Sequence, residues 1–179
     1  FALGEQAKQN PSVTTTIGLV GADGYHAVAA NRARYAERYG WDEDRITHLL
    51  ERYGAQIEDL GALIDADSSL GAPLAKAPQF LRADVVFAVR YEGALHLEDV
   101  LVRRVRLDLE QRDRGLAAAD EILEILRSEL GWDDQKVKEE RDLYAARVQA
   151  IREAESTSTD AEASAKIEAV APVAPRVKL

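Results

Sequence analysis

The sequence predicts an all-α fold of about six helices in one orthogonal, bundle-like domain, with an irregular lead-in and a disordered C-terminal tail. Three observations carry that prediction. Apolar residues recur at spacings of three and four through most of the chain. Aspartates and glycines stand where those periodic stretches begin and end. Alternating apolar and polar residues, the mark of a half-buried strand, are almost absent.

The first stretch, residues 1–22, has no helical period and ends in turn formers; it reads as a lead-in, with a short strand at Val13–Ile17. Asp23 then caps a helix whose inner face is Tyr25, Val28, Ala29, Tyr35, Ala36 and Tyr39, ending at Gly40. Asp42 caps a second helix, with Ile46, Leu49, Leu50 and Tyr53 on one stripe and Gly54 at its stop. Ile57, Leu60, Leu63 and Ile64 continue the pattern, and the following "SSLGAPLAKAP" reads as a loop, with Pro78 in a first helical turn. The longest helical pattern runs from Gln79 to Glu110, interrupted only by Gly93. One further helix carries Ile122, Leu123, Leu126 and Leu130 up to Gly131, and a last one after Asp133 carries Val137, Tyr144, Val148 and Ile151. The helical domain thus spans 23–155. From Ser156 to Leu179 the composition turns to Ser, Thr, Ala, Pro and Glu, too poor in large apolar groups to offset the entropy of ordering.

Two junctions share one chemistry. "GWDEDRI" at Gly40–Ile46 and "GWDDQKV" at Gly131–Val137 each set a helix-ending glycine, a bulky anchor and a capping aspartate in a row, which makes a tight corner between helices.

Composition narrows the function classes. The 179 residues carry a net charge of −9, which disfavours nucleic acid and anionic lipid surfaces as partners. There is no cysteine, hence no disulfide framework, thiolate catalysis or zinc ribbon. No apolar run approaches the roughly 20 residues that span a bilayer, and no signal peptide is visible. Methionine is also absent, which leads to the expectation of a piece of a longer protein. "GLVGADG" lacks the strand-turn-helix setting of a phosphate loop.

The segment "AVRYEGALHLEDVLVRR", Ala88–Arg104, holds the densest set of ionisable groups among apolar ones. On a continuous helix Glu92, His96, Asp99 and Arg103 fall at i, i+4, i+7 and i+11, on one face. A metal site is one reading of that line, but a single helix supplies too few ligands. Helical ion pairs, Glu92–His96 and Asp99–Arg103, are the plainer reading. Apolar residues flank the line on both sides, so its charges should meet polar partners rather than bulk water. Gly93 inside such a helix suggests close approach by a neighbouring backbone. Arg103, Arg104, Arg106, Arg112 and Arg114 could grip an anion, although Asp108, Glu110 and Asp113 lie among them. No nucleophile stands beside a base. By residue chemistry alone the chain is a helical interaction domain, and an independent adaptor is one form of it.

The residues of "RADVVFAVRYEGALHLEDVLVRRVRLDLEQRDRG" also carry a resemblance. The segment resembles the C-terminal helical domain of FAD-dependent, quinone-linked glycerol-3-phosphate dehydrogenases, which have a helix of the form "YAVxxExAxxLxDVLxRRTR". Ala88, Val89, Glu92, Ala94, Leu97, Asp99, Val100, Leu101, Arg103, Arg104 and Arg106 match it; Phe87 and Val105 replace a tyrosine and a threonine. "LVGADGYHAV", "ITHLLERYG" and "LGWDD" are similar to the actinobacterial branch, so the likeness covers roughly Ile17 to Ile151. It implies that FAD and substrate are bound by N-terminal domains absent from this chain. It implies that those domains are the partners of this one, and that no catalytic, cofactor or metal residue lies here. It also implies a cytoplasmic enzyme held peripherally on the inner membrane face. Glu92, His96, Asp99, Arg103, Arg104 and Arg106 become a structural and interdomain ionic helix.

Overall fold

A computed structural model describes residues 13–170. The chain divides into two compact units, up to Ala62 and from Leu63 onward. Nine α-helices and one small two-stranded sheet make up the regular structure of the described residues, in agreement with the mainly helical fold expected.

The first unit is built on helix ends. α1 (Tyr25–Ala30) and α2 (Arg32–Tyr39) were expected as one helix, but the chain breaks at Asn31. The Asn31 side-chain amide donates to the Ala27 carbonyl at 2.7 Å, competing with the helical ladder as short amide side chains do. Gly24, with φ of 86°, precedes α1 in the capping position expected for Asp23. Val13–Ile17 forms a turn rather than a strand, closed by Ile17 N–H donating to Val13 O at 3.1 Å.

α3 (Glu43–Tyr53) starts as its sequence demands. The Asp42 carboxylate accepts from Arg45 N–H at 2.8 Å, and Glu43 and Asp44 sit in the first turn, where acidic groups complement the helix dipole. Ile46, Leu49, Leu50 and Tyr53 are all buried, so the apolar stripe is the packed face. Trp41 stacks on Tyr39 with ring centroids 4.6 Å apart, and its N–H reaches back to Ala36 O at 2.9 Å. After a tight turn at Gly54–Gln56, α4 (Ile57–Ala66) begins; the boundary between the units falls within it.

Gly54 is required by close backbone approach. Ala55 N–H donates to Gly21 O at 2.8 Å, and a Cβ on Gly54 would stand 2.3 Å from that same oxygen. Its φ of 55° adds a backbone penalty for any other residue.

In the second unit, a turn at Ser68–Gly71 leads into an antiparallel hairpin, β1 (Pro73–Leu74) and β2 (Ala77–Leu81). This corrects the expected loop and the helical placing of Pro78, which lies in β2 with Phe80 and Leu81 buried behind it. The long helix expected from Gln79 to Glu110 is also corrected. α5 (Arg82–Arg90) opens with Asp84, a buried carboxylate that accepts from Leu81 N–H at 2.6 Å. It stops at Arg90; a loop follows, then a π-helical turn at Asp99–Arg104, and after Arg106 the short α6 (Leu107–Glu110). Gly93 adopts φ of 68° with nothing within 4 Å of a Cβ built on it. Its role is to reverse the chain, not to admit a neighbouring backbone.

α7 (Ala119–Leu130) packs on α5, and α8 (Asp134–Glu155) packs on α7. Val85, Val86 and Phe87 of α5 and Ile122, Leu123 and Leu126 of α7 are buried. The corner between α7 and α8 repeats the one before α3: Gly131 is left-handed, Trp132 N–H reaches Arg127 O at 3.1 Å, and Asp133 accepts from Lys136 N–H at 2.7 Å. The tail expected to be disordered contains α9 (Asp160–Glu168), which packs on α8. Its cap is local: the Thr159 hydroxyl accepts from Glu162 N–H at 3.3 Å, and alanines with good helix propensity follow. Apolar content alone missed that contribution. Residues 171–179, and 1–12 of the lead-in, lie outside the described residues.

Replacing Gly54 by alanine is expected to cost more than about 2 kcal/mol, because strain and a backbone clash coincide. Gly40→Ala, in the left-handed αL well and with open space around it, should cost nearer 1 kcal/mol. Urea denaturation followed by circular dichroism reads both; equal losses would contradict the close-approach argument.

Candidate functional site

The charged segment does not form one ionic face. Because the chain leaves the helix after Arg90, its groups brace a loop, residues 91–96, and the helical turn that follows, which opens at Leu97–Glu98 and is π-helical over Asp99–Arg104. Three sets of bonds fix the loop.

The first comes from α8. Glu140 lies on the inner stripe of that helix, three residues after Val137 and four before Tyr144, and is almost fully buried at 3% exposure. Oε1 accepts from His96 Nδ1 at 2.8 Å and from Lys136 Nζ at 2.7 Å, while Oε2 accepts from Leu97 N–H at 3.0 Å. A carboxylate opposite Nδ1 fixes the proton on that nitrogen. Burial pushes the Glu140 carboxyl upward, but Lys136, His96 and the Leu97 amide together outweigh it and hold the group below its ordinary value.

The second set is local. Asp99 Oδ2 accepts from Leu95 N–H at 3.0 Å and His96 N–H at 3.1 Å, and its other oxygen pairs with Arg103. The third spans the loop: Arg104 donates to the Glu92 carbonyl from Nη2 at 2.7 Å and Nε at 3.1 Å, with the Glu92 carboxylate 3.8 Å away. Ala94 and Leu97 are plugged into the interior at 0% exposure, and Ala94 N–H closes the turn on Ala88 O at 2.8 Å.

Asp99–Arg103 is therefore the pair the sequence predicts. Glu92–His96 is not formed: Glu92 faces Arg104, and His96 belongs to Glu140. Arg106 is exposed and left-handed, at φ of 62°, just before α6. Sequence reasoning missed Glu140 and Lys136, and also Glu98, a buried carboxylate with Arg103 Nη2 and Arg147 Nε each at 3.4 Å. A carboxylate on the apolar stripe of α8 was the available signal for Glu140; its partner 44 positions earlier was not legible.

Two hollows adjoin other charged groups. One of about 90 Å³ is lined by Val102, Asp108, Arg114, Tyr144, Arg147 and Val148. The Tyr144 hydroxyl donates to Arg114 O at 2.6 Å, and burial drives the phenol well above its ordinary range. Asp108 Oδ1 is buried with no hydrogen-bond partner; desolvation raises the carboxyl, against a smaller opposing pull from Arg114. The other, a cleft of about 300 Å³, brings Arg82 and Arg90 together with Glu124 and Glu129. Arg90 is already forked onto Glu129 at 2.6 and 2.7 Å. Among the described residues no three His, Asp or Glu are grouped to hold a metal ion, and no helix is long and apolar enough to cross a membrane.

What these residues define is a helical domain whose charges serve its own architecture. Residues 12–137 match the family described as the C-terminal domain of alpha-glycerophosphate oxidase, and the chain belongs to that family. It is 42% identical over 144 residues to a glycerol-3-phosphate dehydrogenase of Mycobacterium leprae, covering 80% of this chain and 25% of the relative. The glycerol-3-phosphate dehydrogenase 2 of Mycobacterium tuberculosis (strain H37Rv) is 40% identical over the same length and coverage. A mitochondrial glycerol-3-phosphate dehydrogenase of Arabidopsis thaliana is 30% identical over 149 residues, 76% of this chain and 24% of its own. The chain thus spans about a quarter of the length of these curated relatives. No solved structure matches it significantly.

Glu140→Ala is expected to destabilise the chain by about 3 kcal/mol or more, since it strands three donors around a buried site. The pH dependence has a definite sign. A carboxyl held below its unfolded value of about 4.3 stabilises the fold above that pH and loses its contribution as the pH falls through the folded value. The stability gap between the wild type and Glu140→Ala should therefore narrow on acidification from pH 7 to pH ~3 in urea titrations; a constant gap contradicts it. Asp108 has the opposite sign. Its raised carboxyl is a liability once ionised, so Asp108→Asn should be neutral or stabilising at neutral pH, with any gain vanishing in acid. A clear loss of thermal stability at pH 7 would show that Asp108 is needed as an anion.

Proposed function

We propose that this chain is the C-terminal portion of a flavin-dependent glycerol-3-phosphate dehydrogenase, and that it serves there as a packing and docking module. The carrying observation is the family match over most of the chain together with identities near 40% to dehydrogenases of which the matched part is only 25%. The longer protein would oxidise the secondary alcohol of sn-glycerol 3-phosphate to the ketone of dihydroxyacetone phosphate. FAD, held by the part of the polypeptide outside this chain, would take the two electrons and pass them to a quinone. A peripheral station on the cytoplasmic face of the membrane belongs to the same reading, because a quinone is reached there.

The braced loop supports a supporting role. Its carboxylates and guanidiniums are spent on backbone amides, carbonyls and one another, as groups that hold shape are. The test is an assay of glycerol 3-phosphate oxidation with an artificial dye acceptor. The polypeptide of full relative length should reduce the dye in proportion to glycerol 3-phosphate, and the 179-residue chain alone should not. Turnover by the chain alone, or none by the flavin-loaded longer protein, would overturn the reading.

A further inference from the structure

The same bonds that fix the loop leave two large apolar side chains outside. Tyr91 is 49% exposed and Leu95 60%, four residues apart with the chain reversal at Gly93 between them. Neither is loosely held. The Tyr91 ring stacks on buried Phe87, centroids 4.6 Å apart and planes within 12°. The Leu95 amide is tied to Asp99, and the residues on either side of it are anchored, Ala94 by burial and His96 by Glu140. Charged groups flank the pair along the chain: Arg90 bonds Glu129, Glu92 lies near Arg104, and Arg103, 54% exposed, pairs with Asp99.

An apolar pair exposed on a mobile loop would need no explanation. An apolar pair held by a buried Glu, a capping Asp and a double arginine bond is different. Rigid presentation removes most of the ordering cost of binding, and an aromatic anchor inside a polar rim is how protein interfaces concentrate their energy. The occupant follows from two facts already given. The family is a C-terminal domain, and the matched part makes up only 25% of its dehydrogenase relative from Mycobacterium leprae. A permanently attached body of the same polypeptide is therefore at hand, and an apolar face suits permanent attachment better than transient encounter.

We propose that Tyr91 and Leu95 form the apolar knob by which this domain seats on the N-terminal body of its own polypeptide, Arg90, Glu92 and Arg103 forming the polar rim. This rests on the function proposed above, and it shifts the docking role from the ionic residues to the apolar pair they support.

The experiment uses the polypeptide of full relative length. A benzophenone amino acid is placed at Tyr91, or in a second protein at Leu95, and a control carries it at Lys138, an exposed side chain of α8 at 69%. After illumination, adducts are mapped by mass spectrometry. The proposal expects intramolecular cross-links from both knob positions to residues N-terminal to this domain, well above the Lys138 control. Adducts confined to the domain itself, to a second copy or to lipid, or no adduct at all, would overturn it. The dye assay on the unmodified full-length protein is read in parallel. Loss of the docking result with glycerol 3-phosphate oxidation intact rejects the knob alone, whereas absent oxidation rejects the parent reading.

Discussion

The Glu140 carboxylate is the constraint on which the distinctive part of this molecule depends. Placing an ion in a site 3% exposed carries a desolvation penalty of several kcal/mol, and only good geometry with every lone pair engaged offsets it. Lys136 supplies charge from the same helix, while His96 and the Leu97 amide come from the loop and the turn that opens after it, 40-odd residues earlier. The loop therefore cannot leave without stranding the carboxylate. Asp99 and Arg104 then shape what Glu140 holds, capping the amides on one side and the Glu92 carbonyl on the other.

How much of this was legible depends on the range of each interaction. The corners at Gly40–Asp42 and Gly131–Asp133 were readable because glycine C-caps and aspartate N-caps act within a few residues. The Asp99–Arg103 pair was readable for the same reason. Apolar periodicity misled where burial continued but the helix did not. Phe87, Ala94, Leu97, Val100, Leu101 and Val105 are all buried, so the pattern runs on through a loop and a π-helical turn. Periodicity reports which residues face inward; it does not report the path between them. The short hairpin was hidden because β1 has two residues, too few for alternation to be visible. α9 was hidden because its case rests on a threonine cap and small residues rather than on a large apolar face.

The resemblance seen in the sequence and the family match concern the same residues, yet the structure changes what those residues do. On a straight helix, Glu92, His96, Asp99 and Arg103 would have offered one charged face to a partner. In the folded chain Asp99 caps backbone amides, His96 pairs with Glu140 of α8, Glu92 faces Arg104, and Arg103 stays half exposed beside Asp99, while the exposed large apolar side chains of the segment are Tyr91 and Leu95. Charged residues here act as structural staples, and two apolar ones, Tyr91 and Leu95, are displayed. That inversion gives a physical reason for so many ionisable groups in an otherwise apolar segment.

The direct test of this account is the exchange rate of one amide. Leu97 opens the helical turn that follows the loop, a position whose N–H has no carbonyl within the helix to bond, and that N–H is held by the Glu140 carboxylate alone among the bonds described. Hydrogen exchange followed by NMR at neutral pH should find the Leu97 amide protected to a degree comparable with Leu123 in the core of α7. Exchange of Leu97 at the rate of an open loop amide would mean that Glu140 does not hold the loop, and the central claim would fall with it.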